Sequence, residues 1–171
     1  ALPISFPTED FERGLAWLRT RAEVTVDPRC LARLGYLAGA DDARGEALLA
    51  ALRDPDARCL WSARGGYGAM RVLERHGDAL LDALRRDPKP LVGFSDITAL
   101  HALWARAGVP SVHGAMVSGL HRADRGRSET WAAVTGEAPE PWEGLTTVCG
   151  GATVAGVARG GNLSLVAALV G

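Results

Sequence analysis

The chain has 171 residues and a formal net charge of −1, enough length for one domain with a real hydrophobic core, or one domain and part of another. Its Arg, Asp and Glu are interspersed, so there is no basic stripe for nucleic acid and no acidic tail. Cys30, Cys59 and Cys149 are odd in number, far apart and without zinc-ligand spacing, which points to a reducing, cytoplasmic setting. No apolar run reaches membrane-spanning length, and the start "ALPISFPTED" lacks the order of a signal peptide.

In chain order, Thr8 followed by acidic residues predicts a helix with Phe11, Leu15, Leu18 and Ala22 on its apolar face. "EVTVDP" (23–28) reads as a short strand. A second helix is predicted over 41–53 and a buried strand over "RCLWSA" (58–63), ending in "RGGYG". Another helix runs to about Arg86, followed by a strand at "PLVGF" (90–94), a helix at "SDITALHALWARAG" and a strand at "VPSVHG" (109–114). Strands alternating with helices of this length predict an α/β fold, a Rossmann-like parallel sheet with helices on both faces.

The texture changes after about Leu120. "HRADRGRSETWAAVTGEAPEPWEG" is polar, then helical, then rich in Pro and Glu, and reads as a connector. From Leu145, closely spaced glycines and β-branched residues suggest the start of a β-containing second domain. The division expected is therefore 1–122 for the α/β domain, 123–144 for the connector and 145–171 for the beginning of a further domain.

Three loops should meet at one edge of such a sheet: "ARGGYG" (63–68), "GFSD" (93–96) and "VHGAM" (112–116). Gly65 and Gly66 suit either a tight structural turn or a backbone cradle for an anion. The stretch is neither a Walker A loop nor GxGxxG, because Arg71 stands where the last glycine belongs. Ser95 reads as a helix N-cap or as a nucleophile on a strand-to-helix turn. Ile97 replaces the second glycine of GxSxG, so that motif is half present. As nucleophile, Ser95 would use the amides of Asp96 and of the Gly65–Gly66 turn to hold an oxyanion. Asp96 itself should cap or orient the helix. Of the four histidines, His76 and His121 lie in polar contexts and should be solvated, and His101 should point away from Ser95. His113 ends a strand and is either a base for Ser95 or a loop-ordering residue.

"RGGYGAMRVL", "PLVGFSDITALH", "VHGAM" and "ARGGNLSLVAALVG", with "GYLAGADDARGEALLAAL" (35–52), resemble in order and spacing the LD-carboxypeptidase family. These are serine peptidases of the S66 type, related to the microcin immunity peptidases. The resemblance implies an N-terminal Rossmann-like domain, a β-rich C-terminal domain and a catalytic cleft between them. It places the nucleophile on Ser95, the oxyanion hole on the amides of Asp96 and of the RGG turn at Gly65 and Gly66, and pocket roles on Arg64, His113 and Asn162. It also puts the triad's Glu and His downstream of "GGNLSL", so His113 is a pocket residue instead of the base. The implied substrate is a small peptide, the murein tetrapeptide, whose L,D bond is cut during peptidoglycan recycling in the cytoplasm. The resemblance further implies a homodimer and needs no metal or cofactor. The alternatives are a microcin-immunity-type peptidase acting on a peptidyl nucleotide, and an inactive peptide-binding fragment. The 171 residues alone are expected to be inactive. Leu163, Leu165, Val166 and Leu169 form an apolar helix face whose lack of cover predicts self-association.

Overall fold

A computed structural model describes residues 8–122, 124–137, 143–144, 146, 150–151 and 155–170. Its elements are helices α1 (Thr8–Arg19) and α2 (Asp41–Arg53), strand β1 (Leu60–Trp61), helix α3 (Ala69–Arg86), strand β2 (Leu91–Gly93), helix α4 (Thr98–Ala107), strand β3 (Ser111–His113), and helices α5 (Arg125–Thr135) and α6 (Leu163–Val170). The three strands pair in parallel in the order β1-β2-β3. Leu60 lies opposite Leu91, and Val92 lies opposite both Trp61 and Val112. Helices α3 and α4 are therefore the crossovers of two successive βαβ units, the α/β arrangement predicted.

Neighbouring strand residues face opposite ways, and β1 shows the consequence. Leu60 joins a core made with α2, α3 and α4, where Leu52, Leu80, Leu84, Leu91, Ile97 and Trp104 are buried. Trp61 turns to the other face, against a second cluster of Phe11, Leu15, Leu18, Cys30, Val117 and Leu120. Helices thus cover both faces of the sheet. Trp61 donates its indole N–H to the Ala115 carbonyl at 2.8 Å, so the wide ring also anchors the segment after β3.

The strands are shorter than the sequence predicts. Pro90 and Pro110 precede β2 and β3 and have no N–H with which to extend the ladder. Beyond Trp61 the carbonyls of Ser62 and Ala63 accept the amides of Val117 and Ser118, both at 3.0 Å. The chain after β3 has crossed over the end of β1, which brings residues 116–119 beside the 64–68 loop. Helix α1 packs on this crossing through Gly14, where a Cβ would fall inside contact distance of the Val117 carbonyl.

Two readings near the N-terminus differ from the structure. Residues 23–27 form no regular element and pair with no strand among the described residues. Val24 and Val26 rest half-buried on the second cluster, so their alternation records one-sided packing. Asp27 then caps a 3-10 turn at Pro28–Leu31 by accepting the Arg29 amide at 2.9 Å. Ala22 lies beyond the end of α1 and is exposed, because the helix stops at Arg19. The β-like texture falls in part on Leu145, residues 147–149 and residues 152–154, which lie outside the described residues, and no strand occurs among the described residues from 143 to 162. The apolar face of α6 is split: Leu165 packs on the main core, whereas Leu163 is 82% exposed.

Candidate active site

At the end of β2 the chain turns sharply. Phe94 is still extended, whereas Ser95 has φ 60°, the one positive φ outside glycine among the described residues. Ser95 to Ile97 form one 3-10 turn that runs into α4. L-residues avoid this conformation because Cβ crowds the backbone, and such strain concentrates at functional positions. Gly93 makes the bend feasible, since a Cβ there would lie 2.8 Å from Ile97 and 2.9 Å from the Ser62 hydroxyl. The Ser95 side chain caps neither the turn nor α4. The N-cap reading of Ser95 therefore fails on geometry.

The glycine loop lies against this elbow. A Cβ on Gly65 would sit 3.2 Å from Ser95 Cβ and 3.3 Å from the Phe94 carbonyl, so the two backbones approach as closely as glycine permits. Gly66 follows with φ 144° and is exposed, and Gly68 has φ 108°. Asp96 joins the loops in a way the sequence did not reveal. It caps α3 instead of its own helix, accepting the Ala69 amide at 2.9 Å and the Gly68 amide. Burial pushes its carboxyl above the usual range, while those amides and the Arg44 charge pull it back. Arg64, half-buried, lines a cleft with Asp10, Phe94, Met116, Ser118 and Arg122.

His113 is exposed at the end of β3, its ring 6.2 Å from Phe94 and 5.9 Å from the ring of His101. His101 is turned inward, toward the end of β2. Because α4 proper starts at Thr98, His101 falls in its first turn, is 7% exposed and donates Nε2–H to the Gly93 carbonyl at 2.9 Å. Its Nδ1 is buried without a partner among the described residues. His76 and His121 are half-buried instead of solvated: His76 lies 3.2 Å from Asp42, and His121 Nδ1 lies 3.0 Å from the Ser118 carbonyl. Asn162 donates its backbone N–H to Thr98 Oγ1 at 2.9 Å, and its side chain accepts from the Ser164 hydroxyl. The "GGN" segment thus docks at the start of α4, three positions beyond Ser95. Gly161 lets it approach, since a Cβ there would overlap the Thr98 side chain.

Burial lowers the His101 pKa below its ordinary 6.5, a shift opposed by the Gly93 bond and reinforced by His113. Between that lowered value and 6.5 the unfolded chain binds a proton at this site that the folded chain refuses. Stability from His101 is therefore present above pH 6.5 and is lost on acidification. The denaturation midpoint should fall from pH 7.5 to 5.5, and His101→Gln, which keeps a donor for Gly93, should flatten that slope. An unchanged slope would show that another group sets it.

Neither cysteine among the described residues offers a competing nucleophile. Burial raises the Cys59 thiol to about 11 and also raises Cys30. Among the described residues, no helix is long and apolar enough to cross a membrane.

Comparison with known proteins identifies the family. The model of the LD-carboxypeptidase N-terminal domain, Peptidase_S66, matches residues 1–114. A carboxypeptidase-family protein of Streptomyces coelicolor is 39% identical over 178 residues, covering 96% of this chain and 55% of its own length. A murein tetrapeptide carboxypeptidase of Pseudomonas aeruginosa is 42% identical over 89 residues, 52% of this chain and 28% of its own. The chain therefore spans about half, or less, of the curated relatives it matches. Among solved structures, a muramoyltetrapeptide carboxypeptidase from Oxalobacter formigenes superposes with TM-score 0.65 at 25% identity, over 78% of this chain and 46% of that one. MccF in complex with glutamyl sulfamoyl guanosine superposes with TM-score 0.67 at 20% identity, over 78% and 41%, which is a likeness of fold.

Proposed function

The chain belongs to the LD-carboxypeptidase family of S66 serine peptidases, and we propose that it is the nucleophile-bearing part of an enzyme that cleaves the L,D peptide bond of murein tetrapeptides. The reaction is acyl transfer. Ser95 Oγ attacks the carbonyl, the terminal D-amino acid leaves, and water resolves the acyl-enzyme. The amides of Asp96 and Gly66, with Gly65 keeping the turn close, stabilise the developing oxyanion. The observation that carries this reading is the φ of 60° at Ser95, on an elbow packed against Gly65.

Arg64 lines the cleft beside Phe94, and its positive charge suits the carboxylate end of such a peptide. The proton acceptor in this reading is the family's Glu–His pair, which follows the GGNLSL block in chain order. His113 is a pocket residue beside Phe94, and Asn162 holds the GGN segment at the start of α4. The names of the Pseudomonas and Oxalobacter proteins support a murein peptide as substrate, in peptidoglycan recycling. In this reading the enzyme is a cytoplasmic homodimer, in a compartment where thiols such as Cys30 and Cys59 stay reduced.

The test uses the protein that carries this chain. A serine-reactive phosphonate should add to Ser95, as read by peptide mass spectrometry, and D-alanine should be released from an L,D-tetrapeptide. Ser95→Ala should lose both. Labelling that survives Ser95→Ala would place the nucleophile elsewhere. Cleavage of an aminoacyl sulfamoyl nucleotide without cleavage of the tetrapeptide would move the substrate to the microcin-immunity type.

A further inference from the structure

Arg44 is the least expected residue in the core. It lies in α2, in a stretch that reads as an ordinary polar helix face, yet it is only 2% exposed. Its guanidinium pairs with Asp41, which is itself shared with Arg71 at 2.5 Å. One terminal nitrogen donates to the Gly68 carbonyl at 3.3 Å. Its Nε–H is buried with no partner among the described residues. A buried cation with an orphaned donor adds little to stability, since apolar side chains of similar volume commonly do as well or better in such places. A local rule broken in this way is expected next to a functional site.

What Arg44 does contact is the glycine turn. A Cβ on Gly68 would lie 2.8 and 2.9 Å from its two terminal nitrogens, so the backbone at φ 108° bends around the guanidinium. The Asp96 carboxylate takes the amides of Gly68 and Ala69. Gly68 is thus held at its carbonyl by α2 and at its amide by the residue next to Ser95. Gly66 lies two positions upstream of this anchored residue.

We infer that Arg44 is a positioning residue which, with Asp96, clamps the 65–68 turn so that the Gly66 amide faces the carbonyl under attack by Ser95. This rests on the roles proposed above for Ser95 and Gly66. The clamp fixes the direction of a hydrogen-bond donor before substrate arrives, and such preorganisation acts on the transition state more than on ground-state binding. Arg is required for its fork. It reaches Asp41 and the Gly68 carbonyl together, which a lysine ammonium cannot do with the same geometry.

The test compares wild type, Arg44→Met, Arg44→Lys and Arg75→Gln in the protein that carries this chain. Arg75 pairs with Asp42 at 2.7 Å across the same α2–α3 junction, is exposed and has no bond to the turn. Arg44→Met should fold, since Asp41 keeps Arg71 and methionine fills most of the volume. It should lose roughly 10- to 100-fold in phosphonate labelling rate and in kcat, with KM changed by less than about threefold. Amide hydrogen exchange at 66–69 should speed up. Lysine should not rescue either readout, and Arg75→Gln should behave as wild type. If Arg44→Met fails to fold, Asp41→Asn, which leaves Arg44 in place but loosens it, should show a smaller loss of the same kind. Wild-type labelling by the Arg44 variants, or an equal loss in Arg75→Gln, would overturn the inference. Absence of labelling in the wild type would defeat the nucleophile assignment instead, and exchange at 66–69 would then judge the clamp alone.

Discussion

Ser95→Gly is expected to make the protein more stable and to end covalent labelling in the same step. A side chain at φ 60° carries a backbone penalty on the order of 1 kcal/mol that glycine does not. The larger freedom of glycine in the unfolded chain offsets part of that gain. A net rise of about 0.5–1 kcal/mol, or roughly 1–4 °C in Tm, is the expected size. Activity should fall by at least about 10⁴-fold, as it does when a serine nucleophile is removed. Ser95→Ala separates the two effects. It retains Cβ and hence the strain, so its stability should stay near wild type while its activity falls equally far. Denaturant titration of the three proteins, with phosphonate labelling alongside, reads both quantities. A glycine variant less stable than the alanine variant would show that the elbow stores no strain at Ser95.

The parts of the fold governed by local rules were legible in the sequence. Asp41 and Asp42 open α2 and Arg53 closes it, a charge order that suits the helix dipole, so that helix falls where its residues predict. The two βα units from β1 to β3 follow from the same alternation, and the Ser95 elbow was visible as a strand handing over to a helix. Contacts between elements were not legible. Asp96 stands two positions before an apolar helix and reads as a local cap, but its carboxylate serves α3, 27 positions back in the chain. Arg44 was indistinguishable from its solvated neighbours because only the fold of the 64–68 turn makes a buried acceptor for it. The bond of His101 to Gly93 was not legible because the 3-10 turn at Ser95–Ile97 delays the start of α4 and so sets which way the histidine faces. The alternation at 23–27 imitated a strand because packing against one apolar surface has the same period as pairing in a sheet.

Gly66→Ala should slow acylation roughly 10²- to 10³-fold while costing about 1–3 kcal/mol of stability. At φ 144° an L side chain is strained, and relief comes by rotating the peptide that carries the proposed oxyanion donor. A donor turned away no longer meets the charge that develops on the carbonyl oxygen, and losing one such donor costs about 3–4 kcal/mol in the transition state. The stability cost alone could mimic the effect if the variant were partly unfolded. Gly108→Ala controls for this. Gly108 ends α4 at φ 75° with nothing within 4 Å of an added Cβ, so its substitution carries a backbone penalty on the order of 1 kcal/mol without touching the site. With both variants assayed well below their unfolding midpoints, Gly108→Ala should label at the wild-type rate and Gly66→Ala should not. A Gly66→Ala protein that acylates normally would remove the Gly66 amide from the oxyanion hole and leave Asp96 as its remaining donor.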